Sequence, residues 1–324
     1  MAFKAPTPTP PGLWRRTPPA MFPPILGLMG LGLLWRGAAS VFGVPGGIGE
    51  ALLGAVTLLW LLAVLAYGVK IARRPGVVAE DLRILPGRAG LAAAVLCFYT
   101  FAVVLAPYAP DQARPVLLLG LIAHGAMLAV LLREMASGPA EQRQVTPVWH
   151  LQFTGVIVAA IAAEAVGWMD FARGLFWVAL VCAVVIWGLS AVQFARQRVP
   201  APLRPLLAIH LTPANFLGAV ALGLGWDGLG TVFSVIAAGL LLALLAGGRW
   251  LTAAGFTPLW GAFTFPLASV GALWLTLAAG HPGWRVPGGL ALIAATLVIP
   301  PIAFKVMKMW ASGQLAVKTN AGVA

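Results

Sequence analysis

Charged residues cut this chain into long uncharged stretches. Ten intervals contain no Asp, Glu, Lys or Arg: 17–35, 51–69, 89–110, 115–132, 144–163, 174–195, 205–226, 228–248, 250–284 and 286–304. Crossing about 30 Å of hydrocarbon at about 1.5 Å per residue takes about 20 residues of helix. Nine intervals are close to that length, and the 250–284 interval trims to roughly 256–279. The pattern predicts an all-α polytopic membrane protein with ten transmembrane helices in residues 17–310, between a Pro-rich tail (1–16) and a C-terminal tail (311–324). A transmembrane barrel is excluded, because its strands would alternate polar and apolar positions over about ten residues.

Composition agrees. Of 324 residues, 60% are hydrophobic and 9% charged, against about 25% charged in soluble domains. The connections are too short for a soluble catalytic domain, so no enzyme activity is expected and function lies within or across the bilayer. No short apolar region followed by a small-residue cleavage site marks a signal peptide, so the first span is expected to stay in the membrane. Cys97 and Cys182 both fall in apolar spans, which argues against a disulfide framework or zinc site.

Charge sets an expected orientation. With the N-terminus in the cytoplasm, 17 Lys and Arg lie inside, and four, Arg36, Arg114, Arg173 and Arg285, lie outside. The positive-inside bias therefore places both termini in the cytoplasm. Basic loops against anionic lipid account for the net charge of +12 without nucleic acid.

Short outer turns predict five hairpins. Four of the odd spans open at Pro86, Pro147, Pro205 and Pro258, separated by 61, 58 and 53 residues, which suggests a repeated hairpin of about 60 residues. Prolines also lie deeper: Pro23 and Pro24 in the first span, Pro213 in the seventh, Pro266 in the ninth. Each removes a backbone hydrogen bond and kinks its helix, so these helices are expected to surround something rather than face lipid. Spans three and five have proline only near their ends, and the tenth carries Pro300 and Pro301 near its cytoplasmic end. Every odd span has a phenylalanine at or approaching mid-depth: Phe22, Phe98, Phe153, Phe216 and Phe265. Ordinary lipid-facing phenylalanine is the competing reading for the first four. Phe265 differs because Pro266 follows it, and a kink there would aim the ring inward.

Intramembrane ionisable groups are the usual functional suspects; here they are His124, His150, Glu164 and His210. A neutral imidazole bonded to a neighbouring helix is the favoured reading of the histidines, and no histidine pair on two helices is expected at one depth. Glu164, near the outer end of the fifth span, reads as snorkelling or as part of an outer vestibule. No metal or cofactor site is predicted. Mid-depth acids, common in proton- or sodium-driven carriers, are absent, which points to passive conduction or to a carrier that needs no buried carboxylate.

The segments Thr17-Pro18-Pro19-Ala20-Met21-Phe22-Pro23-Pro24-Ile25-Leu26-Gly27-Leu28 and Pro258-Leu259-Trp260-Gly261-Ala262-Phe263-Thr264-Phe265-Pro266-Leu267 resemble the tellurite-resistance/dicarboxylate transporter family. That family includes bacterial tellurite-resistance protein A and the plant guard-cell slow anion channels. The resemblance implies five hairpins around a central pore, odd helices inside, a homotrimer, and a pore plugged by Phe265, with Phe263 as fallback. The resulting expectation is an anion channel or passive anion transporter of the bacterial inner membrane, carrying small anions. Its pore-lining candidates are Phe22, Pro23, Phe98, Phe153, Pro213, Phe216, Phe263 and Pro266. A carrier of C4-dicarboxylates, sulfite or tellurite-linked substrates, possibly proton-coupled through His124 or His210, remains open. So does a haem-binding subunit using His150 and His210.

Overall fold

The computed structural model describes residues 12–324; Lys4 and most of the 1–16 tail lie outside the described residues. Among these, regular structure is entirely helical. The principal runs are α1 (Pro19–Phe42), α2 (Gly47–Arg73), α3 (Leu85–Leu105), α4 (Pro110–Ser137), α5 (His150–Ala165), α6 (Met169–Arg196), α7 (Ala201–Gly223), α8 (Asp227–Ala246), α9 (Pro258–Ala278) and α10 (Pro282–Ala311). Nine are long and apolar enough to cross a membrane; α5 is shorter. Several helices overrun the uncharged intervals. α4 takes in Asp111, Arg114, Arg133 and Glu134, because charges bound the hydrocarbon-compatible stretch, whereas helical hydrogen bonding continues into the headgroup region.

Packing separates two sets. α1 packs on α3, α3 on α5, α5 on α7, α7 on α9, and α9 returns to α1, so the odd helices close a ring. Each even helix packs against its odd predecessor, and α10 also against α1. The apolar windows of α1, α3, α7 and α9 are 50–72% buried, those of the even helices 22–39%. The even helices turn large apolar side chains outward, such as Leu58, Ile122, Val181, Leu242 and Leu297. Such faces suit hydrocarbon rather than water.

Backbone irregularity concentrates in the odd helices, with one further 3-10 turn at the start of α10 (Pro282–Trp284). Four odd helices begin with non-α turns: 3-10 in α1 (Pro19–Met21), α7 (Ala201–His210) and α9 (Pro258–Phe263), and π in α5 (His150–Thr154). Their α segments start at Phe22, Leu211, Thr264 and Val156. Pro23, Pro24, Pro213 and Pro266 all fall in the first turn of such a segment, where a missing N–H has no intrahelical acceptor to lose. The prolines thus mark a change of helix type instead of kinking a continuous α-helix. α10 keeps Pro300 and Pro301 inside an uninterrupted α-helix.

Two outer turns are copies of each other. Gly167 (φ 84°) and Gly225 (φ 76°) adopt the left-handed conformation that suits glycine. The following Trp168 and Trp226 donate their N–H to Ala163 O and Ala221 O, each at 2.8 Å. These are Schellman-type helix ends. They lie 58 residues apart, the separation of Pro147 and Pro205, so α5–α6 and α7–α8 are structural repeats.

The basic face carries structure where the sequence suggests polar loop and tail. Val77–Leu82 is a short helix that buries Asp81. Asp81 Oδ2 accepts from Lys70 Nζ (2.7 Å) and Tyr67 Oη (2.8 Å), and Lys70 Nζ also donates to Thr17 O (2.9 Å). Both charged side chains are fully buried. Residues 311–324 fold back through the helix Gln314–Lys318; Gly322 N donates to Asp81 Oδ1 (2.8 Å) and Ala324 N to Arg15 O (2.9 Å). One carboxylate therefore joins α2, the short helix and the C-terminal segment, and its partner Lys70 adds Thr17, just before α1. Lys70→Met should destabilise the fold by about 3–5 kcal/mol, because Asp81 is left buried without its cation. Adding Asp81→Asn should recover part of that loss, as read from melting temperatures in detergent.

Candidate functional site

The ring closes through an intimate contact between α1 and α9. A Cβ on Gly27 would collide with the Thr264 side chain, and one on Gly30 would come within 3.0 Å of Ala268 Cβ and 3.3 Å of Phe265 Cδ2. Thr264 Oγ1 donates within its own turn to Gly261 O (2.7 Å) and lies 3.2 Å from Pro23 O of α1. On its other side α9 is tied to α7. Asn215 Nδ2 donates to Pro266 O (3.0 Å) and Ser269 Oγ (2.7 Å), and Ser269 Oγ donates to Pro266 O (3.1 Å). Asn215 thereby serves the carbonyl of the proline that opens the α segment.

Phe265 sits between these two attachments. Its ring approaches Gly30 of α1 and stacks on Phe216 of α7, with centroids 5.2 Å apart and planes at 26°. Only 5% of it is exposed. Other faces of α9 look elsewhere: Ala268 and Leu275 pack with α1 and α10, Val270 and Leu273 with α7 and α8. Phe265 belongs to the cluster that also contains Met29, Leu96, Ile157 and Leu217, from the other four odd helices.

Accessibility changes on either side of this ring. Thr276 is exposed although Leu273, Trp274, Leu275, Leu277 and Ala278 around it are buried. Eleven residues are just over three helical turns, so Thr276 shares a face with Phe265. That face is open at Thr276, half-covered at Ala272 and closed at Ser269 and Phe265. Toward the basic side, one turn before Phe265, lies a cavity of about 20 Å³. It draws on all five odd helices, with Pro23, Ala89, Leu151, Ile209 and Ala262 among its walls. This is room for about one water, in a wholly apolar neck.

The other predicted residues scatter. Phe22 meets Tyr67 of α2 edge-on (6.2 Å) and Phe98 meets Trp60 of α2 (5.1 Å), so both rings have partners on an outer helix. Phe153 packs on Trp149, and Phe263 on Trp260. Pro23 borders the apolar neck. Pro213 and Pro266 are buried in the first turns of their segments. Glu164 lies against Gly223 of α7, with Oε1 buried and without a hydrogen bond.

The histidines are hydrogen-bonded side chains. His124 Nε2 lies 2.6 Å from Gln152 O, which can only accept, so Nε2 carries the proton and Nδ1 accepts from Tyr99 Oη at 3.0 Å. His150 and His210 do meet, contrary to the expectation of no pair at one depth. His150 Nε2 and His210 Nδ1 are 3.0 Å apart, and His150 Nδ1 is 3.3 Å from Thr154 Oγ1. The π turn of α5 and the 3-10 run of α7 set this register. The two facing nitrogens are spent on a hydrogen bond to each other, so this pair is not arranged on opposite sides of an iron. Sequence reasoning passed over Asn215 and Gln152. The Gln152 amide is buried with neither end hydrogen-bonded, and polar amides inside apolar spans were the available signal.

Residues 16–306 match the voltage-dependent anion channel family. The chain belongs to that family. It is therefore a multi-pass membrane protein of a family of anion channels and transporters, and the ring of odd helices with its apolar neck is read on that footing. No curated protein matches the chain. Because the α1–α9 seam leaves no space for a methyl group, Gly27→Ala should cost about 1–3 kcal/mol by overpacking. Thermal unfolding of the detergent-solubilised protein checks this; an unchanged melting point would show that the seam can open freely.

Proposed function

We propose that this protein is a passive anion channel with ten crossings arranged as five hairpins, its pore on the axis of the odd helices and closed by Phe265. The single observation that carries the reading is Phe265 itself, buried between an apolar neck of about 20 Å³ and the open face marked by Thr276. Phe216 braces the plug from α7. An apolar constriction this narrow opposes ions sterically and by dewetting. α5, shorter than the rest, completes the ring and serves as the tenth crossing.

The path offers anions weak attraction. The α segments of α1, α7 and α9 begin at Phe22, Leu211 and Thr264, and helix N-termini carry partial positive charge. Deep cations are lacking on α9, which has no charged residue. Weak dipolar attraction lets an anion enter and leave, as conduction requires. The protein moves ions and performs no chemical reaction. It sits in the bacterial inner membrane with both termini cytoplasmic, as the 17-to-four distribution of basic residues favours.

Planar-bilayer recordings of wild type beside Phe265→Ala, across a chloride or nitrate gradient, test the channel. The expected result is an anion-selective reversal potential and a several-fold larger current in the variant. Equal currents from two folded proteins would falsify the plug. Silence from both, with dicarboxylate uptake into vesicles, would instead favour the carrier. The family resemblance also supports a homotrimer, for which light scattering after detergent correction should give three times the 33.7 kDa chain mass.

A further inference from the structure

A large cavity lies off the axis. It is a cleft of about 750 Å³ between outer helices α6 and α8, floored by α7, at the end of the bundle that carries the basic loops. Its α6 wall starts at Trp187 and follows the helix toward its end at Arg196, about 14 Å away, and Arg198 lines it just beyond that end. One leaflet of hydrocarbon is about 15 Å thick, so the cleft is about as deep as a single leaflet. Ala191, Phe194 and Ala243 on its walls are exposed, and the neighbouring outward residues Leu189, Val192, Leu242 and Leu245 are lipid-compatible. The cleft therefore opens sideways, where acyl chains are, not toward the ring axis.

Its two ends differ in chemistry. The deep end is mainly apolar, with Trp187, Leu211 and Leu240, and holds two polar side chains, Ser190 and His210. At the basic end Phe194 of α6 reaches Trp250 beyond α8 (6.2 Å, edge-on), bridging the two outer helices. The Arg204 guanidinium lies over the Trp250 ring at 4.4 Å and donates to Trp250 O at 3.2 Å. Arg198 lines the cleft at the same end, and Arg196 and Arg249 lie next to lining residues. No Asp or Glu lines the cleft, and between Asp170 and the C-terminal residue the only acid is Asp227, at the opposite end of α8. Aromatic rings and arginines at headgroup level above an apolar slot of leaflet depth match an anionic amphiphile.

We propose that this cleft binds an anionic glycerophospholipid of the leaflet facing the basic loops, one acyl chain lying between α6 and α8 and the phosphate near Arg198 and Arg204. Its volume suits one ordered ligand. The occupant touches α7 along residues 203–211, the 3-10 run that leads into the segment bearing Phe216. This site stands whether or not the axial path conducts.

Native mass spectrometry of the full chain, loaded with dioleoyl-phosphatidylglycerol or dioleoyl-phosphatidylcholine, tests the proposal. The expected result is one phosphatidylglycerol retained per chain in preference to phosphatidylcholine. Arg198→Gln should weaken retention several-fold, and Ala243→Trp or Ala191→Trp, which fill the slot from opposite walls, should abolish it in proteins of normal melting temperature. Equal retention of the two lipids would overturn headgroup recognition, and undiminished binding in both tryptophan variants would overturn the location. A changed subunit count in those variants, with lipid retention intact, would make the cleft a contact between copies and also overturn the proposal.

Discussion

A backbone that leaves the α-helical ladder inside a bilayer must be shielded from lipid, because hydrocarbon offers its N–H and C=O groups no partner. That constraint organises this molecule. The 3-10 and π turns of α1, α5, α7 and α9 fall on ring helices, and the outer helices around them are α-helical apart from the opening turn of α10 (Pro282–Trp284). Side chains then complete the shielding from within. Asn215 and Ser269 reach the Pro266 carbonyl, Thr264 approaches that of Pro23, and His124 donates to that of Gln152. The same irregularity that would be costly against lipid starts fresh α segments deep in the bundle, with their N-terminal dipoles at the proposed constriction.

Small residues permit what aromatic residues then fill. Gly27 and Gly30 let α1 lie so close to α9 that no methyl group fits at Gly27. With the seam drawn tight, one large side chain is enough to occupy the centre, and Phe265 stacked on Phe216 does so. In the proposed function, a plug held by ring stacking and van der Waals contact, with no charge or hydrogen bond of its own, would yield without breaking a strong interaction. The rigid and the movable parts are thus different in kind: hydrogen-bonded backbone around the ring, apolar contact at its middle.

Stability and lipid contact are divided around the periphery. On the α1–α2 side, the Lys70–Asp81 pair gathers two helices and the C-terminal segment around one dry carboxylate. Across the bundle, between α6 and α8, the outer layer parts over about the depth of a leaflet, with Phe194 and Trp250 meeting across it. Both features lie on the basic face. One uses its charge internally; the other presents charge to the surrounding membrane.

The one-dimensional pattern of charge and hydrophobicity was enough to establish the membrane class and an all-helical chain; it predicted ten spans, of which nine are long enough to cross and α5 is shorter, because helix length and hydrocarbon thickness are both local quantities. The approximate repeat was legible too, since Pro147 and Pro205 carry the same offset as the Trp168 and Trp226 turns. What a residue faces was not legible. Phe22 and Phe98 have the same spacing logic as Phe216, yet their rings meet Tyr67 and Trp60 of α2 while Phe216 meets Phe265. Helix rotation decides that difference, and rotation is set by close contacts such as Gly27 with Thr264. Likewise no histidine pair was expected at one depth, yet His150 in the π turn of α5 and His210 in the 3-10 run of α7 lie 3.0 Å apart, and such turns climb at other rates than an α-helix. Asp81 read as a loop residue and proved the buried partner of Lys70. Local chemistry determined the elements; only contacts between residues distant in the chain decided which faces they share.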